Sequence, residues 1–423
     1  MELFDALYDN NDIRFIDVRD ERTGAHMADG YARASGQPGV IIAGQNGPGA
    51  TNLVTGIAQA AAAFSPVITI AGAISSKDVG KNTFQEIDQQ ALFEPITKKT
   101  WTINQTDKIP EIFHDAFKLA LTPRCGPVHI NLPRDILSSN VIIPVLNKHQ
   151  NEPLPVASTD DLSKTIDIIL SSSQPIIIAG GGIKNTGGHQ EVINLAKILN
   201  IPIVASAGHG DVIPFGESLY AGQMGPRGNP VASKLVKEAD VILALGTRLG
   251  FNSTFFSYEN INKQASIIQV EIEPTALGRY FPISIGICAD AKTVAKQLYD
   301  QISSKKEINK IEKWTQLFIK NRKNYLRIRD EEAEITKTPI QPSGLFKTLR
   351  DVLPTNSAVT LDAGTLCLQA TDMLNYSGPP SLFTPLDFGL VGFSFACGLG
   401  VKLAKPDRPV ISLMGDGGFG MTI

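Results

Sequence analysis

Apolar and β-branched residues fall in short continuous runs through the first third of the chain, without strict alternation. The runs at 39–43, 66–71 and 128–132 read as strands buried on both faces, the last ended by Pro133. The Ala-rich stretch 50–63 reads as a helix, and a further strand is expected at 14–18. Such strands alternating with helices predict a parallel sheet covered on both sides.

A polar stretch with two prolines, 147–158, predicts a linker. The same rhythm then resumes. Helices are expected at 160–170 and 190–199, and strands at 175–179, 202–205, 241–245 and 266–272. A charged helical stretch at 303–333 leads to a third group. It comprises a strand at 358–362, a glycine-rich helix at 389–403 and a strand at 409–414. The expected fold is α/β, with three consecutive doubly wound parallel-sheet domains. Boundaries are expected at 1–146, 158–302 and 336–423, with a helical connector at 303–335.

Composition narrows the function classes. Hydrophobic residues are 43% and charged residues 19% of 423, an ordinary globular balance. The net charge of −3, with no block of like charge, argues against nucleic-acid and membrane partners. Four scattered cysteines without C-x-x-C spacing read as reduced, buried thiols. The weakly polar run at 60–74, broken by Ser65 and Pro66, is too short to span a bilayer. Glu2 and Asp5 without a basic region read against a secretory leader, so a cytoplasmic protein is expected.

Several stretches carry candidate chemistry. Met414, Gly415, Asp416, Gly417, Gly418 and Phe419 directly follow an apolar strand. Glycines there let backbone amides approach a diphosphate, and Asp416 offers a hard oxygen to magnesium. The plainer reading is a tight turn at a strand end. Glu21 lies between the run at 14–18 and a helix, whose N-terminus favours a carboxylate; alone it reads as a helix-start acid. Gln45-Asn46-Gly47-Pro48-Gly49-Ala50-Thr51-Asn52 forms a rigid turn opening the Ala-rich helix, and Thr83-Phe84-Gln85-Glu86 sits in a loop.

Together these stretches resemble the thiamine-diphosphate superfamily of acetolactate synthase, pyruvate oxidase and sulfoacetaldehyde acetyltransferase, in the family's order. The resemblance implies a pyrimidine-binding domain first, then a central domain, then a diphosphate-binding domain, the first and last incomplete because the chain reads as shortened at both ends. It implies an enzyme acting on a 2-oxo acid or aldehyde through carbanion chemistry. Glu21 matches the glutamate that activates the cofactor's aminopyrimidine, with Gln85 the other catalytic candidate. Pro48, Asn52 and Phe84 are carried over beside the cofactor. Gly364, Gly415 and Gly417 fall on its diphosphate side, and Val391 where a bulky apolar residue bends it. Asp416 matches the magnesium ligand, and the family's further Asn ligand would lie past Ile423. Arg22 stands where the family often has Gln. The resemblance also implies a homodimer or tetramer with active sites between subunits.

Local strings such as Gln45-Asn46-Gly47-Pro48-Gly49, Asn131-Leu132-Pro133-Arg134-Asp135 and Gly286-Ile287-Cys288-Ala289-Asp290 look closest to sulfoacetaldehyde acetyltransferase. The reaction implied converts sulfoacetaldehyde and phosphate to acetyl phosphate and sulfite. Alternatives are an acetolactate synthase-like carboligase on pyruvate, or an inactive piece without the full metal site. Arg227 and Arg248 are candidates for an anionic substrate, although surface arginines are the plainer reading. Gly180–Gly182, Glu271 and Glu273 admit FAD in the central domain but lack the full G-x-G-x-x-G spacing, so a structural role is preferred. His26 and His209 read as packing and turn residues.

Overall fold

Short apolar runs become short parallel strands. In the computed structural model, residues 2–142, 144, 153–305, 311–334 and 336–422 are described. Strands β1 (Gly39–Ile42), β2 (Val67–Ala73), β3 (Thr100–Thr102) and β4 (Val128–Pro133) form one sheet in the order β1-β2-β4-β3, parallel throughout. Both faces are covered. Ile41, Val67 and Ala71 enter one apolar cluster with Leu53 and Ile57, while Ile68, Ile70 and Ile130 enter another with Ala116 and Ala120. The alternation of successive side chains across the sheet separates the two clusters.

The second sheet takes β5 (Pro175–Ala179), β6 (Ile203–Ala205), β7 (Tyr220–Gln223), β8 (Val241–Leu245), β9 (Ser266–Glu271) and β10 (Ile285–Cys288). Its order is β10-β9-β8-β5-β6-β7, again parallel. Ile177 and Ile176, one residue apart, feed opposite cores. The third sheet has β11 (Ala358–Leu361), β12 (Leu382–Phe383) and β13 (Val410–Leu413) in the order β12-β11-β13, also parallel. The expected class, three parallel α/β sheets, is the one observed.

By contacts the chain divides into two compact units. One holds residues 1–151, 387–407 and 416–423; the other holds 152–386 and 408–415. In the first, the Phe393–Ala404 helix lies against the Glu21–Ser35 helix at a close approach that only glycine permits. A Cβ on Gly30 would stand 2.2 Å from the carbonyl oxygen of Cys397, and one on Gly400 would stand 1.9 Å from that of Met27.

Four expectations need correction. Residues 14–18 form no strand: β1 pairs with β2 alone. Phe15 is 49% exposed, its ring edge-on to Phe4, and without a strand neighbour its backbone has no ladder to join. The glycine-rich helix begins at Phe393 rather than 389, because Gly389 and Gly392 take left-handed φ of 77° and 90°. The cysteines are free as expected, but Cys288 is exposed and Cys125 half-buried; only Cys367 and Cys397 are buried. The charged helix spans Glu312–Glu331, shorter than expected. Residues 147–152 of the expected linker, and 306–310 and 335 of the connector, lie outside the described residues.

Candidate functional site

Asp20 starts the helix that presents Glu21. Its Oδ1 accepts from the backbone N–H of Arg22 at 2.9 Å and of Thr23 at 3.4 Å, capping the Glu21–Ser35 helix. With the cap supplied by its neighbour, Glu21 turns toward the end of β1. Its Oε1 accepts from the Gly44 backbone N–H at 3.1 Å, and its Oε2 from Asn52 Nδ2 at 3.0 Å. Asn52 lies one turn into the Pro48–Ala62 helix, where Pro48 opens with the φ a first turn needs. Gly49 closes the crevice wall: a Cβ there would stand 2.8 Å from Glu21 Oε1. The carboxylate is half-buried, whereas Gly44, Pro48 and Asn52 are exposed.

The Gln85 loop meets the same turn. Gln85 holds a left-handed φ of 64°, unfavourable for a residue with a Cβ. It is held by its own contacts: Nε2 donates to Gln45 Oε1 at 3.0 Å, and its carbonyl accepts from Asn46 Nδ2 at 3.5 Å. Glu86 ties the loop by accepting from the Gly80 and Thr83 backbone amides. Buried Gln89 braces the glycine turn, accepting from Gly47 N at 3.0 Å and donating to Asn131 Oδ1 at 2.7 Å. Phe84 is 84% exposed.

Sequence reasoning missed Gly44, Gln45 and Gln89. Gly44 acts through its backbone, and Gln89 sits in a polar run without periodicity, so neither carried a signal. Gln45 reads in the sequence only as part of the turn.

The remaining candidates sit near strand ends. Gly364 and Gly415 follow β11 and β13, adjacent parallel strands, and a Cβ on either would meet no atom within 4 Å. Asp416 opens a five-residue helix, Asp416–Gly420, where Gly417 is equally open. Val391 is 42% exposed between left-handed Gly389 and Gly392. Within the first unit, Arg22 Nη2 donates to the Met421 carbonyl at 2.9 Å, tying this segment to the start of the Glu21 helix. Glu21, Asn52, Pro48 and the Gln85 loop thus meet around one turn.

A carboxylate with both oxygens placed, beside a glycine whose added Cβ would press on its Oε1, suits a flat heteroaromatic ring bearing an amino group. Open glycine amides at carboxyl ends of parallel strands suit a diphosphate. Taken separately, the Glu21 turn fits the aminopyrimidine of thiamine diphosphate, and the glycine strand ends fit its diphosphate. For magnesium the side chains are sparser: no group of three or more His, Cys, Asp or Glu is placed to hold a metal among the described residues.

Other candidates have local roles. His26 is fully buried, edge-on to Phe393 with ring centroids 5.6 Å apart. Burial, with the Arg22 charge, pushes it down to about 4, so its ring is neutral at pH 7. His209 packs on Gly181, where a Cβ would stand 2.9 Å from its ring. Gly180 and Gly182 let the turn after β5 lie against Gly246. Glu271 is buried at the end of β9, and Glu273 caps the short turn that follows. Arg227 is exposed over the Phe255 ring, and Arg248 is half-buried. No helix among the described residues is long and apolar enough to cross a membrane.

Three family models match the chain. They are the thiamine pyrophosphate enzyme N-terminal TPP binding domain over residues 1–92, the central domain over 162–298, and the C-terminal TPP binding domain over 362–423. Among its relatives, the chain is 36% identical to a probable acetolactate synthase large subunit of Methanocaldococcus jannaschii, across 99% of this chain and 72% of that protein. It is 34% identical to the probable acetolactate synthase large subunit of Methanococcus aeolicus, across 100% and 72% respectively. It is also 33% identical to a sulfoacetaldehyde acetyltransferase of Alcaligenes xylosoxydans xylosoxydans, across 97% and 72%.

Proposed function

Since the chain belongs to the thiamine pyrophosphate enzyme family, we propose that Glu21 is the acid that activates its cofactor and that the substrate is a 2-oxo acid or aldehyde. The observation that carries this reading is the Glu21 carboxylate, fixed at both oxygens by Gly44 N–H and Asn52 Nδ2. When bound, thiamine diphosphate would supply a nucleophilic carbon and an electron sink for carbonyl chemistry.

The chain's own residues position and move protons. Glu21 would exchange a proton at one carboxylate oxygen with the ring held beside it, a role suited to a half-buried acid. Gly44 and Asn52, one on each oxygen, keep the carboxylate aimed. Gln85, pinned to Gln45, presents its polar edge to the substrate, with Pro48 and Phe84 beside the ring. Gly364, Gly415 and Gly417 receive the diphosphate through their backbone, Val391 supports the cofactor, and Asp416 gives Mg2+ a hard oxygen. The central domain serves a structural role without FAD. The proposed domain limits are those expected above, and two or more copies would assemble with active sites between subunits.

For the reaction itself, the strings at 45–49, 131–135 and 286–290 favour sulfoacetaldehyde and phosphate going to acetyl phosphate and sulfite. The names borne by the methanogen relatives support a second reading, carboligation of pyruvate to acetolactate. Purified enzyme with thiamine diphosphate and Mg2+ separates them. Phosphate-dependent sulfite release supports the first; carbon dioxide and acetolactate from pyruvate, without sulfite release, overturn it in favour of the second.

A further inference from the structure

Within the second unit, the Glu312–Glu331 helix carries Arg322, Tyr325, Leu326 and Arg329 at the spacing of one helical face. Arg322, Leu326 and Arg329 line a cavity of about 20 Å³ together with Tyr220 of β7 and Asp372 and Tyr376 of the third segment. That volume admits one particle the size of a water molecule. Space of that order favours a single small occupant.

The charges around it do not balance. Arg322 Nη2 donates to the Phe215 carbonyl at 2.6 Å, a neutral acceptor. Arg329 Nε donates to Asp330 Oδ1 at 3.2 Å, and Arg350 Nη2 takes the same oxygen at 2.7 Å. The carboxylate that lines the cavity, Asp372, is already engaged: Oδ1 accepts from Asn229 Nδ2 at 2.8 Å and Oδ2 from the Tyr325 hydroxyl. Arg329 and Arg350 thus share Asp330, and Asp351 also acts on Arg350, while Arg322 is bonded to no carboxylate among the described residues and its charge is left uncompensated. Arg322 and Arg329 both lie over the Phe215 ring, at 5.2 and 5.7 Å from its centroid.

One donor is left over. Arg329 is 9% exposed, and its Nη1 is buried without a hydrogen-bond partner among the described residues. A buried guanidinium N–H without an acceptor is costly, and a guanidinium can only donate. Burial, with the Arg329 charge adding to it, lowers the affinity of Arg322 for its proton.

We propose that this cavity binds one monoatomic anion, chloride under ordinary conditions, accepting from Arg329 Nη1 and offsetting the surplus charge of the arginines. A water molecule would satisfy the orphaned donor but leave that charge uncompensated. The ion would pin the Glu312–Glu331 helix to β7 and the Thr365–Met373 helix, so its loss should loosen this joint.

The test uses the whole 423-residue chain. Crystals grown or soaked in bromide should show an anomalous peak inside the cavity, beside Arg329 Nη1. Melting temperature should rise by about 2 °C from gluconate to chloride at constant ionic strength. That increment should vanish in Arg329→Met, which keeps an aliphatic stem in the cavity. A cavity without a bromide peak, or a chloride increment that persists in Arg329→Met, overturns the proposal. The bromide experiment needs no variant, so it decides even if Arg329→Met fails to fold.

Discussion

Asn52 Nδ2 donates to Glu21 Oε2 at 3.0 Å, joining the start of one helix to the second turn of the next. The Gly44 backbone N–H holds the other oxygen. The amide is therefore expected to tune the acid. Asn52→Ala leaves one carboxylate oxygen without its donor, and a hydrogen bond to a charged group contributes about 1.5–3 kcal/mol. Turnover should fall by about tenfold or more with the loss mainly in kcat, read from steady-state kinetics with cofactor saturating. An unchanged kcat would remove Asn52 from the catalytic arrangement.

The junction of the Glu21–Ser35 and Phe393–Ala404 helices depends on absent Cβ atoms. Gly400→Ala would drive a methyl group into the Met27 carbonyl, and Gly30→Ala into that of Cys397. Backbone cannot swing aside as a side chain can, so each should cost about 1–3 kcal/mol in urea unfolding. Gly216→Ala, where an added Cβ meets nothing within 4 Å, is the control and should change little.

Stability should fall in acid through two histidines. Burial holds both His26 and His129 down to about 4, below the ordinary value of 6.5. The unfolded chain therefore binds protons at pH 6.5 that the folded chain refuses until about pH 4. The stability these neutral rings contribute is complete above pH 6.5 and is lost as pH drops toward 4, by up to about 3 kcal/mol each. His26→Gln should flatten part of that dependence, measured as unfolding free energy between pH 4 and 7. Equal slopes in both proteins would contradict the assignment.

In the second unit, Lys184 Nζ lies 2.9 Å from Asp211 Oδ1, with side chains 9% and 0% exposed. Asp211 Oδ2 also accepts from the backbone amides of Ser381 and Leu382. Burial alone would raise its carboxyl, but the Lys184 charge and those amides outweigh it and hold it below the usual carboxylate range. Lys184→Met strands a buried charge and should cost about 3–5 kcal/mol. Measured by denaturant unfolding, a loss under about 1 kcal/mol would show the pair to be inessential.

Strands were the most readable feature, because a run such as Ile176, Ile177 and Ile178 is apolar on both faces and has one plausible environment. Residues 14–18 misled because their β-branched pattern came without a pairing neighbour, which only the sheet order supplies. The helix start at Phe393 depended on φ at Gly389 and Gly392, which composition hints at but does not locate. Glu21 and Asn52 stood out through motif order. Gly44 contributes only a backbone N–H, and Gln89 works through contacts to Gly47 and Asn131, so tertiary geometry alone brought them forward.

Replacing Glu21 with Gln in the cofactor-competent enzyme removes the exchangeable acid while keeping the side chain's length and its neighbours. If Glu21 relays the activating proton, turnover of the aldehyde or 2-oxo acid should fall at least a hundredfold, with cofactor affinity changed far less. Turnover equal to the parent's would contradict the proton relay at its root.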